Sequence, residues 1–130
     1  MTAGRTEQDA GQTASGPHYS PFVRAGGFIF VSGQLPLRPG RVRKRGVAPL
    51  AAQAEQALLN LETVLADAGA GLAQVVKTTV YLSDMDDWGA VDAIYARFFG
   101  DNRPARSVVP TGPLHFGFRI ELEAIAVAAG

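Results

Sequence analysis

The feature that most restricts the fold of this 130-residue chain is the apolar period that begins after Pro49. Ala54, Leu58, Leu61, Leu65 and Ala68 recur at spacings of three and four, with Ala57 and Val64 beside them, which is one face of an α-helix. Pro49 suits the first turn, where a missing N–H is no loss, and Gly69 closes the segment. The stripe is made of Ala and Leu, so it is flat and fits against a sheet. The rest of the chain must then supply that sheet.

Its segments do so. Phe22-Val23, the turn Arg24-Ala25-Gly26-Gly27 and Phe28-Ile29-Phe30-Val31-Ser32 read as a β-hairpin. Leu35 to Val47, punctuated by Pro36, Pro39, Gly40 and Gly46, reads as a loop or a weaker hairpin. Val75 to Leu82 is β-branched and dense enough for a buried strand. Asp84, Asp86 and Asp87 are candidate N-caps for a second helix with apolar positions Trp88, Val91, Ile94, Tyr95, Phe98 and Phe99, stopped by Gly100. A short strand at Ser107–Val109 and a last strand from Phe118 to Val127 follow. The order predicts an α+β fold: a single mixed sheet with both helices on one face. The other sheet face has no cover in this chain, which predicts oligomerisation through it.

Composition bounds the function. One domain of 17–130, after a lead-in at 1–16 rich in Gly, Ala, Thr, Gln and Ser, is all the length allows. Lys plus Arg and Asp plus Glu are 12 each, so net charge does not point to nucleic acid. No cysteine is present, which removes disulfides, thiolate metal sites and thiol nucleophiles. The start of the chain has no apolar signal-peptide core, and no stretch approaches the ~20 apolar residues of a membrane span. A cytoplasmic protein without membrane contact is expected.

Few residues could carry chemistry. Arg106, in Pro104-Ala105-Arg106-Ser107 before Val108-Val109, needs a partner for its guanidinium. It is either a bidentate clamp for a substrate carboxylate or half of a structural ion pair with Glu121 or Glu123; spacing alone favours the pair. Glu121 and Glu123 share one face of the last strand, roughly 6.5–7 Å apart. The alternate residues Phe118, Ile120, Leu122, Ala124 and Ala126 face the helices. A glutamate partly buried on the other face would have a raised pKa and could handle protons, or it could pair with Arg106 or Lys77.

The remaining signals are weaker. Gly33, in Ser32-Gly33-Gln34, permits close backbone approach, either to a ligand or in a plain turn. Tyr19 either meets a ligand or staples the N-terminal strand. Residues 38–45 hold five basic side chains in eight but no aromatics for base stacking, so a solvated loop is the simpler reading. His18 and His115 have no companions at metal-ligand spacing, and no phosphate-binding glycine loop or nucleophile elbow occurs.

Taken in order, the segments around these residues resemble the RidA/YjgF family. They are Gly16-Pro17 with Tyr19-Ser20-Pro21, Phe30 to Pro36, Asn60-Leu61 with Leu65-Ala66, Val75 to Leu82, Pro104-Ala105-Arg106-Ser107 and Ile120 to Ala126. The resemblance spans roughly residues 17 to 128. It implies a chorismate-mutase-like fold, a homotrimer, and clefts between neighbouring subunits. It further implies that Arg106 binds the carboxylate of an imino or keto acid and that backbone N–H groups of Gly33 and Val108 help hold it. Glu121 would position the hydrolytic water, while Tyr19 and Ser32 line the cleft.

The implied reaction converts 2-aminoacrylate or 2-iminopropanoate to a 2-keto acid and ammonia, with no metal or other cofactor. Three positions and one loop depart from the family pattern. Val108 replaces a frequent Cys, Asp92 a frequent Asn, and His115 the usual Pro, and the loop at 100–103 is short. They leave the substrate open. The alternatives are a non-catalytic trimer that binds small carboxylates or serves as a regulator or chaperone, and RNA cleavage, for which only residues 38–45 could speak.

Overall fold

The computed structural model of the chain describes residues 16–38 and 48–128. The expected lead-in up to residue 15 and the basic stretch beyond Arg38 lie outside the described residues. Seven main elements follow in chain order: β1 (Phe22–Ala25), β2 (Phe28–Gln34), α1 (Leu50–Asp67), β3 (Val75–Leu82), α2 (Trp88–Phe99), β4 (Ala105–Pro110) and β5 (Ile120–Val127). They form one five-stranded sheet in the order β1-β2-β5-β3-β4. Neighbouring strands are antiparallel except β3 and β4, which are parallel and joined through α2. The expected mixed sheet is the one observed.

Local chemistry explains the elements. Gly26 and Gly27 both adopt positive φ, 61° and 84°, which a two-residue hairpin turn demands and side chains resist. Along α1 the stripe Ala54, Ala57, Leu58, Leu61 and Leu65 is fully buried. Each of those leucines contributes about 1.5–3 kcal/mol by leaving water. It meets Ile29, Val31, Val80, Leu82, Ile120, Leu122, Ala124 and Ala126 from the sheet, and Val91, Tyr95 and Phe99 from α2, in one core. Both helices therefore cover the same sheet face. The alternate residues of β5, Glu121, Glu123 and Ile125, face the uncovered side and are only partly buried.

Two strand bounds differ from the sequence expectation. β4 extends over Ala105–Pro110 because it pairs continuously with β3, from Lys77 opposite Ala105 to Leu82 opposite Pro110. Pro110 is tolerated there because β4 is an edge strand. β5 begins at Ile120 rather than Phe118 because residues 115–117 form a 3-10 turn with Phe116 at φ 61°. Asp87, one of the candidate caps, makes no side-chain cap bond. Its buried carboxylate instead accepts two bonds from Arg119, at 2.6 and 3.1 Å, tying the start of α2 to the start of β5. Asp84 does cap, accepting from the Asp86 N–H at 2.9 Å. Among the described residues no helix is long and apolar enough to cross a membrane.

Candidate functional site

Helix α2 presents Trp88, Asp92 and Tyr95 one above another, since residues four and three apart share a helix face. Arg106 of β4 lies against that stripe. Its guanidinium carbon is 4.5 Å from the Trp88 ring centre and 4.7 Å from that of Tyr95. Nη1 donates to Asp92 Oδ1 at 3.0 Å. The Tyr95 ring is itself fixed, because its hydroxyl and the Thr78 hydroxyl share a buried hydrogen bond of 2.7 Å. Burial first, and Asp92 less, raise the Tyr95 pKa, against the opposing pull of the Thr78 bond and Arg106. Arg106 is three-quarters covered, with its side chain 25% exposed. A cleft of about 490 Å³ opens beside it, lined among others by Asp92, Tyr95, Arg103 and Pro104.

This environment overturns the ion pair expected between Arg106 and Glu121 or Glu123. Arg106 stands opposite Thr78 in the parallel ladder, on the helix-covered face. Glu121 stands opposite Tyr81 and Glu123 opposite Thr79, on the other face. The sheet separates them. Nor does Lys77 pair with Glu123: among the described residues neither glutamate has an ion-pair partner, and Lys77 Nζ donates to Ser107 Oγ at 3.1 Å. Lys77 and Glu123 do line a common hollow of about 300 Å³ on the open face, with Phe30, Thr79 and Ile125.

The second group of candidate residues gathers on that open face. The register of β2 against β5 shifts between Val31 and Gln34, so Ser32 and Gly33 form an irregularity beside Glu121. A Cβ on residue 33 would overlap the Glu121 carboxylate and lie 3.0 Å from its Cδ. Gly33 thus allows the close approach expected of it, and what approaches is a carboxylate. Burial, with Glu123 adding to it and His115 opposing, raises the Glu121 pKa from its ordinary value. Ser32 Oγ donates to the Ser20 carbonyl at 2.6 Å, which holds down the segment carrying Tyr19. Tyr19 itself is 63% exposed. Val108 lies on the Arg106 side of β4, partly buried against the core.

Within one chain, then, Glu121, Gly33, Ser32 and His115 form one group, while Arg106 and Val108 form another on the far face. Sequence reasoning missed Asp92, Trp88 and Tyr95 as the surroundings of Arg106. A signal for the face existed: Arg106 has the parity of Val108, whose apolar side chain belongs to the core side. Among the described residues, no three His, Asp or Glu side chains are grouped so as to hold a metal ion.

A small α+β domain with an arginine-bearing cleft at one sheet edge and a half-buried glutamate on the open face is the class that this geometry defines. A family model described as Endoribonuclease L-PSP matches residues 11–128, and the chain belongs to this YjgF/RidA family. Over 111 residues it is 45% identical to the 2-iminobutanoate/2-iminopropanoate deaminase of Rattus norvegicus, covering 84% of this chain and 79% of the rat protein. It is 41% identical over 121 residues to a RutC family protein of Synechocystis, covering 89% and 93%. The solved structure of a Rid-family protein of unknown function from Yersinia pestis superposes with a TM-score of 0.79 at 34% identity, covering 92% and 94%.

Proposed function

We propose that the protein is a hydrolytic deaminase of 2-imino and 2-enamino acids, acting as a homotrimer whose clefts lie between subunits. The observation that carries this reading is the setting of Arg106. Two aromatic rings fix its guanidinium at the mouth of a ligand-sized cleft, and its ion pair with Asp92 uses Nη1 alone. A pre-aimed guanidinium fork matches the two oxygens of a carboxylate. The name of the rat relative supports the choice of imine over other carboxylates.

Glu121 supplies the other half of the chemistry. Because it lies across the sheet from Arg106 of its own chain, a complete site takes Arg106 from one subunit and Glu121 from the next. The open face offers the surface for that assembly, with Phe28, Phe30, Val76 and Val127 exposed. In the site, Arg106 holds the carboxylate with help from the backbone at Gly33 and Val108, and Tyr19 and Ser32 close the sides. Glu121 accepts a proton from water as its oxygen bonds to the imine carbon, then returns the proton to nitrogen. The proton of the new hydroxyl then passes to nitrogen as the C=O forms and the C–N bond breaks, releasing ammonia and the 2-keto acid. An enamine first takes a proton at C3 to become the imine. An imine carbon is already electrophilic, so orientation and one proton carrier suffice.

The test generates 2-iminopropanoate with an amino-acid oxidase and follows its decay. The purified trimer accelerates that decay; a wild-type protein that accelerates none of several 2-imino acids rules the reading out. A monomer by light scattering at assay concentration would do the same for the shared cleft. Gly33→Ala adds a sharper check. Its Cβ pushes the Glu121 carboxylate aside, and a displacement near 1 Å at a reacting group lowers the rate about 100-fold. The melting temperature should stay within a few degrees of wild type, because the atom that must move is the end of a side chain.

A further inference from the structure

Helix α2 places a carboxylate on the very group proposed to bind a negative substrate. Asp92 Oδ1 is 3.0 Å from Arg106 Nη1, and the two side chains line the same cleft. The Trp88 and Tyr95 rings also hold the guanidinium, from 4.5 and 4.7 Å, so its aim does not rest on Asp92 alone. A ligand carboxylate on the remaining edge of Arg106 would therefore sit within a few ångströms of a second carboxylate. Like charges at that distance repel, and the repulsion is only partly screened because Asp92 is 48% exposed. The same charge attracts any N–H the ligand carries beside its carboxylate.

Resting on the reading of Arg106 as a carboxylate clamp, we propose that Asp92 is the specificity-determining residue of that clamp. Its charge weakens the hold on plain 2-keto acids and favours ligands whose carboxylate is flanked by an N–H-bearing nitrogen. A 2-iminium acid has that nitrogen on C2, pointing a donor at Asp92. The 2-keto acid product has a carbonyl oxygen there, which can only accept and which Asp92 repels. Specificity is a difference between two affinities, and a repulsive element set against the product supplies it. Asp92 would thus speed product departure at the expense of overall affinity.

The experiment compares wild type, Asp92→Asn and Arg106→Ala, all as assembled protein, in calorimetric titrations with pyruvate. Asparagine keeps the acceptor oxygen for Nη1 and removes the charge. Asp92→Asn is expected to tighten pyruvate about 3- to 30-fold, the size of a partly screened repulsion at this distance. The gap to wild type should narrow as ionic strength rises from about 0.05 to 0.5 M, where the Debye length shrinks towards a few ångströms. In the imine assay the ratio of the pyruvate inhibition constant to the KM for 2-iminopropanoate should fall.

Equal or weaker pyruvate binding by Asp92→Asn, with binding lost in Arg106→Ala, overturns the proposal and makes Asp92 a mere support for the arginine. Pyruvate binding that survives Arg106→Ala, or that none of the three proteins shows, removes the clamp itself. The two failures are distinct.

Discussion

Arg106→Ala is expected to lower kcat/KM for 2-iminopropanoate by about 10²- to 10⁴-fold and to leave the protein folded. A hydrogen bond to a charged group contributes about 1.5–3 kcal/mol, and a bidentate contact supplies two. Their loss from the transition state converts to that range at about 1.4 kcal/mol per decade. The structural effect is smaller. Arg106 sits on an edge strand, and its stacking over Trp88 and Tyr95 is worth about 1–2 kcal/mol. Arg106→Lys keeps the charge but loses the planar fork, so it recovers only part of the activity. The coupled oxidase assay and a melting curve separate the two effects. A variant that keeps more than about a tenth of wild-type kcat/KM, far above the loss expected for two charged bonds, would take Arg106 out of the site.

Glu121→Gln removes the proton carrier and lowers kcat by about 10²- to 10⁴-fold. It also removes a charge that burial within its own chain disfavours at neutral pH. Burial raises the Glu121 pKa in the folded chain, so folding favours the protonated form. The stability that this proton contributes is fully present below the unfolded-state pKa. It is lost as pH rises through the higher folded-state value. At pH 7 the carboxylate is therefore a liability that glutamine, neutral and of the same shape, does not share. A higher Tm is expected at pH 7. The gap should close once pH falls below the ordinary carboxylate range, where Glu121 is protonated in both states. A variant equally inactive but less stable at pH 7 would mark Glu121 as a structural residue. In the wild type, kcat/KM rises with pH through the same elevated pKa, because the ionised form is the one that takes the proton.

How far the sequence reveals such a site depends on the range of the interaction. The α1 stripe and the alternation of Ile120, Leu122, Ala124 and Ala126 are periodic, and a period is written in neighbouring residues. Both were legible. The face of Glu121 and Glu123 followed from the same alternation. The partner of Arg106 was not legible in that way, because Asp92 and Arg106 meet only where α2 lies across β4, and no local spacing sets that crossing. Asp87 misled for a related reason. Before a helix an aspartate usually caps, yet here Arg119, 32 residues further on, takes both its oxygens. The parity shared by Arg106 and Val108 was available and would have separated the arginine from the glutamates. The resemblance to known proteins named the residues without placing them, since residues that the proposed site brings together lie on opposite faces of one sheet.

The strand order has a consequence for how the chain reaches this state. β5, which follows the other four described strands in the chain, occupies the middle of the sheet, between β2 and β3. Until residues 120–127 have left the ribosome, β1-β2 and β3-β4 are two separate ribbons, each with a bare inner edge. Such edges invite pairing with other chains. The ribbons close only when β5 threads between them, a non-local step that is slow compared with forming either helix. Glu121 arrives with that segment. The chemistry and the completion of the sheet therefore enter together, and a nascent chain stopped short of residue 120 has neither.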